Sequence, residues 1–228
     1  MEPENRIDAA KSLVLAAALP HAAFDGWSET TLAAALADSG VAPALGRALY
    51  PRGGVDLAVA YHRSGDGAMK TALAATDLAA LRYRDRVALA IKLRLQTADK
   101  ELVRRGSTLF SLPQHAPEGA KLIWETADAI WTALCDSSQD LNWYSKRATL
   151  SAVYAATVLF WLGDHSEDNA DTWAFLDRRI ENVMQFEKTK TALQANPLAK
   201  ALLAGPLKSL DRIRAPRRKT DLPGHSEP

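Results

Sequence analysis

The chain has 228 residues, 47% hydrophobic and 24% charged, with a net charge of +1 and a single cysteine, Cys135. That length supports one sizeable core, or a small head on a larger body. One thiol excludes an internal disulfide and a cysteine-based zinc site, and it points to a reducing interior. Alanine (42) and leucine (31) far outnumber valine (9) and isoleucine (6). The first two are strong helix formers and the last two are strand builders, so the expected fold is all-α. The start, Met1-Glu2-Pro3-Glu4, is acidic and reads as neither a signal nor a transit peptide. No run of about 18 apolar residues stands out, so no membrane span is expected. Charge is uneven: residues 1–57 carry four Lys/Arg against seven Asp/Glu, and residues 188–228 carry nine against three. A basic end points to an anionic surface met late in the chain.

In chain order, residues 5–19 predict a first Ala/Leu-rich helix. Ser28 reads as an N-cap, with Glu29 in the first turn of a second helix that runs to Asp38 and stops at Ser39-Gly40. Pro43 opens a short third helix to about Tyr50. These three form a helix-turn-helix pattern. A fourth helix is expected over Val55–Arg63, broken by Ser64-Gly65-Asp66-Gly67, and a helical pattern then runs from Lys70 to Arg105. Further helices are expected over Glu118–Cys135, Leu141–Leu162 and Asn169–Glu187, and a last one after Asn196-Pro197. About ten helices result. They divide into a head (1–54), a body (55–190), an amphipathic segment (191–214) and a tail (215–228) whose composition predicts disorder.

The usual chemical motifs are missing. No G-x-G-x-x-G, Walker loop, G-x-S-x-G or H-E-x-x-H occurs. The histidines His21, His62, His115, His165 and His225 are scattered, and none makes an E-x-x-H pair. His165 beside Asp164 and Glu167 is the nearest approach to a constellation, and a polar interhelix turn accounts for it. No enzyme, cofactor or metal is expected.

The segment FDGWSETTLAAALADSGVAPALGRALYPRGG resembles the head of TetR-type regulators. A DNA-reading head needs cations for phosphates and side chains for base edges. Here Arg47 is the only charge on the third helix, and Phe24–Leu57 holds two arginines against four acids. The head is therefore expected to be retained without DNA binding.

Residues 140–187 carry a second and more specific resemblance. Asp140, Asn142-Trp143-Tyr144, Arg147 and Tyr154 are followed by Asp171-Thr172-Trp173, Phe175-Leu176 and Arg179, and Trp131 stands twelve residues before Trp143. This pattern resembles the Coq-nine family of ubiquinone-biosynthesis proteins, and the likeness extends over roughly residues 20–213. The resemblance implies a TetR-like all-α fold that binds isoprenoid lipid in an apolar cavity and forms a homodimer. It implies a non-enzymatic role: presenting a quinone precursor to the di-iron demethoxyubiquinone hydroxylase. It also maps a partner-binding patch onto Ile130, Asp140, Trp143 and Tyr144. The implied place is the bacterial cytoplasm, peripheral on the inner membrane, or the mitochondrial matrix side for a matured form.

The residues themselves agree, more broadly. Asn142-Trp143-Tyr144 opens a helix, so one aromatic should face outward as an interface anchor, or Trp143 packs on Trp131. Candidate lipid contacts are Leu93, Leu109, Trp124, Trp131, Tyr154 and Trp173, although apolar cores and pockets draw on the same residues. Leu202, Leu203, Leu207 and Leu210 recur at helical spacing with Lys208 and Arg212 at the border, the layout of a membrane-surface helix. Gly205-Pro206 should kink it. A ligand-sensing TetR-type repressor and a filled structural scaffold are the alternatives.

Overall fold

The computed structural model describes residues 3–138 and 141–195, with residues 3–5, 141 and 186–195 described in backbone only. Among them are nine α-helices, one short 3-10 turn and no strand. The helices are α1 (Pro3–Asp25), α2 (Glu29–Asp38), α3 (Pro43–Leu49), α4 (Gly54–Ala74), α5 (Tyr83–Gln96), α6 (Lys100–Phe110), α7 (Ala116–Ala133), α8 (Leu141–Leu162) and α9 (Ala170–Ala195). The all-α expectation holds, and the predicted last helix lies outside the described residues.

Local signals placed α2 and α3 well. The Ser28 side chain accepts the Thr31 N–H at 3.2 Å, capping α2, and Gly40 takes the left-handed backbone (φ +67) that ends it. Helix α7 is shifted by two residues and α9 runs on to Ala195 rather than Glu187, and three further stretches differ from expectation. Helix α1 runs through Pro20 to Asp25 and ends at Gly26 (φ +68). Helix α4 runs unbroken through Ser64-Gly65-Asp66-Gly67, because Asp66 is buried and ion-paired to Arg94 on α5. The stretch from Lys70 to Arg105 is three helices. An Asp77 side chain accepting the Ala79 N–H marks the first break, and Asp99, accepting from Glu101 and Leu102, caps α6 after the second.

Two cores form, and α4 belongs to both. The first gathers Val14, Trp27, Leu32, Leu36, Tyr50, Leu57 and Leu102. The second gathers Met69, Leu73, Ile91, Leu95, Ile130, Leu150 and Trp161. Since Leu57 sits on α4 and Leu102 on α6, the first three helices complete their core only with the body's help.

One expectation about membranes needs correcting. Arg6–Asp25 is long and apolar enough to cross a membrane by length and mean hydropathy (1.2). Alanines raise that mean across a segment that still holds Asp8 and Lys11. Val14, Ala18 and Ala22 of this helix are fully buried in the first core, and core helices pass the same composition test.

Candidate ligand cavity and aromatic surface patch

A cavity of about 350 Å³ lies where the two cores meet, walled by α4, α5, α6, α7 and α8 with Trp27 beneath. Small residues make the room: Ala58, Gly106, Gly119, Ala120 and Ala155 all line it. A Cβ at Gly119 would come within 2.8 Å of Phe110, so that approach of α7 to the end of α6 needs glycine. Trp27 is held by an Nε1–H bond to the Leu102 carbonyl at 3.1 Å. At the outer edge, Leu159 lines the cavity while 68% exposed, an apolar side chain facing water at the opening. The next residue, Phe160, is stacked on Phe175 with centroids 4.5 Å apart.

One wall is polar. Arg94 is buried and donates through Nε to Asp66 at 2.7 Å and through Nη2 to the His62 carbonyl at 2.8 Å. Thr126 Oγ1 lies 3.0 Å from the same carboxylate and 2.8 Å from His62 Nε2. Burial, reinforced by the Arg94 charge, pushes the His62 imidazole down to about 4. The Tyr154 phenol, also bonded to Thr126, is pushed up by burial. The donors and acceptors of this wall thus satisfy one another, as a buried polar network must.

Of the six candidate lipid contacts, only Tyr154 lines this cavity. Leu93 packs against the second core and Leu109 against the first. Trp131 is in the second core, stacked on Tyr83 at 5.7 Å, and lines a separate groove of about 290 Å³ with Ile180 and Met184. Trp124 faces Trp143. Trp173 is half-buried, donates Nε1–H to the Asp168 carbonyl at 2.8 Å, and has Lys92 Nζ 5.2 Å from its centroid. Large aromatics drew the sequence reading, whereas the cavity exists where side chains are small. Its missed residues include Trp27, Tyr61, His62 and Arg94. The available signal was His62 four residues before Asp66, with Gly65 beside it and Arg94 inside an apolar helix.

The second feature is the start of α8. Trp143 is half-buried, 6.0 Å from Trp124 and 4.8 Å from Tyr144 by ring centroids. The alternative of Trp143 on Trp131 is therefore not the pairing found. The Arg147 guanidinium lies 3.9 Å from the Trp143 centroid, itself 2% exposed, and pairs with Asp128 and Asp136. Burial raises the Asp136 carboxyl, but hydrogen bonds from Lys146, Ser138 and Arg147 outweigh it and leave the group below its usual range. Ile130 needs correcting as a surface contact: it is fully buried in the second core, because its position on α7 faces α8 rather than solvent. Asp140, Leu202, Leu203, Leu207, Leu210, Lys208 and Arg212 lie outside the described residues.

The turn after α8 carries the Asp171-Thr172-Trp173 block. Asp164 accepts from the backbone N–H and hydroxyl of both Ser166 and Thr172, and these bonds hold its carboxyl well below the usual range. His165 is exposed beside it.

An all-helical body with an apolar cavity, one polar wall and an aromatic surface patch has the layout that helical small-ligand sites take. Residues 116–187, which span α7, α8 and most of α9, match the COQ9 family model. The chain is 36% identical over 120 residues to the rat "Ubiquinone biosynthesis protein COQ9, mitochondrial", covering 53% of this chain and 38% of that protein. The human protein of the same name is 34% identical over 120 residues (53% and 37%), and the Drosophila melanogaster one 27% over 188 residues (80% and 57%). The chain thus spans less than three-fifths of the length of each of these relatives.

Proposed function

We propose that this chain is a lipid-binding accessory factor of ubiquinone biosynthesis. It takes an isoprenoid quinone intermediate into the cavity between α4, α5, α6, α7 and α8 and presents it to the demethoxyubiquinone hydroxylase, without catalysing a reaction itself. The observation that carries this reading is the cavity, whose size falls within the range of about 300–1,000 Å³ typical of ligand pockets. Each methylene moved from water into such a site contributes about 0.8 kcal/mol. Exposed Leu159 marks where a tail too long for the cavity leaves it. The relatives' names supply the pathway. In this reading residues 1–54 are a head without DNA contacts. Arg47, the charge on α3, is spent on Glu29 at 2.7 Å, and Arg52 on Asp56 and Glu118. The Trp143–Tyr144 face receives the hydroxylase, and residues 191–214 rest on the inner membrane surface of a homodimer.

Filling the cavity tests the reading. Ala155→Trp places an indole in the lined space, and quinone uptake by the purified chain is expected to fall at least tenfold with helicity unchanged. Wild-type uptake by a folded Ala155→Trp chain would move the ligand elsewhere.

A further inference from the structure

The polar wall of the cavity is charge-balanced, and that balance has a consequence for the guest. Arg94 is the cation lining the space, and an unpaired guanidinium there would attract a carboxylate or phosphate. It is instead closed onto Asp66 at 2.7 Å, with both side chains more than nine-tenths buried. Thr126 Oγ1 donates to the Asp66 carboxylate, 3.0 and 3.1 Å from its two oxygens, and lies 2.8 Å from His62 Nε2, so the second oxygen of that carboxylate is also served. His62 carries no charge at neutral pH. The wall therefore sums to zero. An anionic head entering it would lose its hydration without meeting a free countercharge, a large penalty in an apolar surround. An uncharged carbonyl or hydroxyl loses far less and still finds a donor. Tyr61 lines the cavity, and its oxygen accepts the Asp99 N–H at 2.9 Å, leaving its own O–H to turn toward a guest.

We propose that this wall selects lipids with an uncharged hydrogen-bonding head and rejects anionic lipids with the same tail. The proposal rests on the reading of the cavity as a lipid site. It names Asp66 as the specificity-determining residue, acting by neutralising Arg94.

The test uses the full chain and two probes that differ only in the head, oleyl alcohol and oleate. Both are measured by equilibrium dialysis at pH 8, below their aggregation limits. Oleyl alcohol is expected to bind at least tenfold more tightly. Equal binding of the two overturns the selectivity while leaving the lipid site standing, and binding of neither overturns both. Asp66→Asn keeps the shape of the side chain and uncovers the Arg94 charge. It is expected to shift the ratio at least tenfold toward oleate, and the double variant Asp66→Asn, Arg94→Gln, neutral again, is expected to restore the wild-type preference. A double variant that behaves like the single one overturns the proposal. Where either variant fails to fold, the wild-type ratio alone decides it.

Discussion

At the residue scale, two side chains can be separated by their surroundings. Asp164 holds the turn between α8 and α9 through four accepted hydrogen bonds. Its folded pKa is depressed, so its contribution is fully present above the unfolded value of about 3.9 and is lost as pH falls through the folded one. Asp164→Asn should therefore lower the Tm at pH 7 by a fixed amount that persists to pH 5 and narrows below about pH 4. A gap that stays constant to pH 3 would show that the charge is not what stabilises the turn. Trp143 tests the partner face. A lysine there would set a second cation against Arg147, which lies over the ring, so Trp143→Leu is the cleaner change. It should weaken hydroxylase binding by about 2–4 kcal/mol while the Tm moves little, as for a central aromatic anchor. Unchanged binding, or loss of the fold, would assign the indole to packing on Trp124 alone. In sequence this residue could be read as a candidate anchor, but its packing partner could not. The pairing with Trp124 depends on how α7 and α8 cross, which no local pattern carries.

At the element scale, the caps, the short helices and the long α8 were legible, while α4 and the stretch that follows it were not. Ser28 acts through a bond to the Thr31 N–H, Gly40 through its left-handed backbone and Pro43 through its fixed φ in the first turn, all local effects, so α2 and α3 followed directly. Helix α4 misled because Gly65 and Gly67 read as a turn, while its continuity comes from packing on α5. The two glycines now separate. At Gly65 a Cβ would lie 2.5 Å from the Arg94 guanidinium, whereas at Gly67 nothing lies within 4 Å. Gly67→Ala should raise stability by about 0.5–1 kcal/mol, the ordinary gain of alanine over glycine inside a helix. Gly65→Ala should lower the Tm despite the same propensity gain, and equal effects of the two would contradict the packing account. The unbroken apolar pattern from Lys70 to Arg105 hid two breaks because Leu78 within the first and Ala98 within the second still pack on the second core. The membrane role proposed for residues 191–214 is tested by deleting residues 197–228. Flotation with anionic vesicles should be lost and the Tm kept, while unchanged flotation would remove that role.

At the scale of the whole molecule, one helix serves two cores and the cavity opens at their junction, with Trp27 and Leu102 from one side and Leu95 and Tyr154 from the other. The all-α body and the likeness to COQ9 proteins were legible through composition and the α8–α9 blocks. The cavity was not legible, because it is defined by small residues such as Gly119 and Ala155 that are indistinguishable in sequence from ordinary helix spacers. The most direct measurement of the central claim is mass spectrometry of lipid extracted from the purified chain after expression in a quinone-producing host. The account predicts an isoprenoid quinone or its precursor in the wild type and its loss in Ala155→Trp. Wild-type protein that carries no such lipid and takes none up when it is supplied would contradict it.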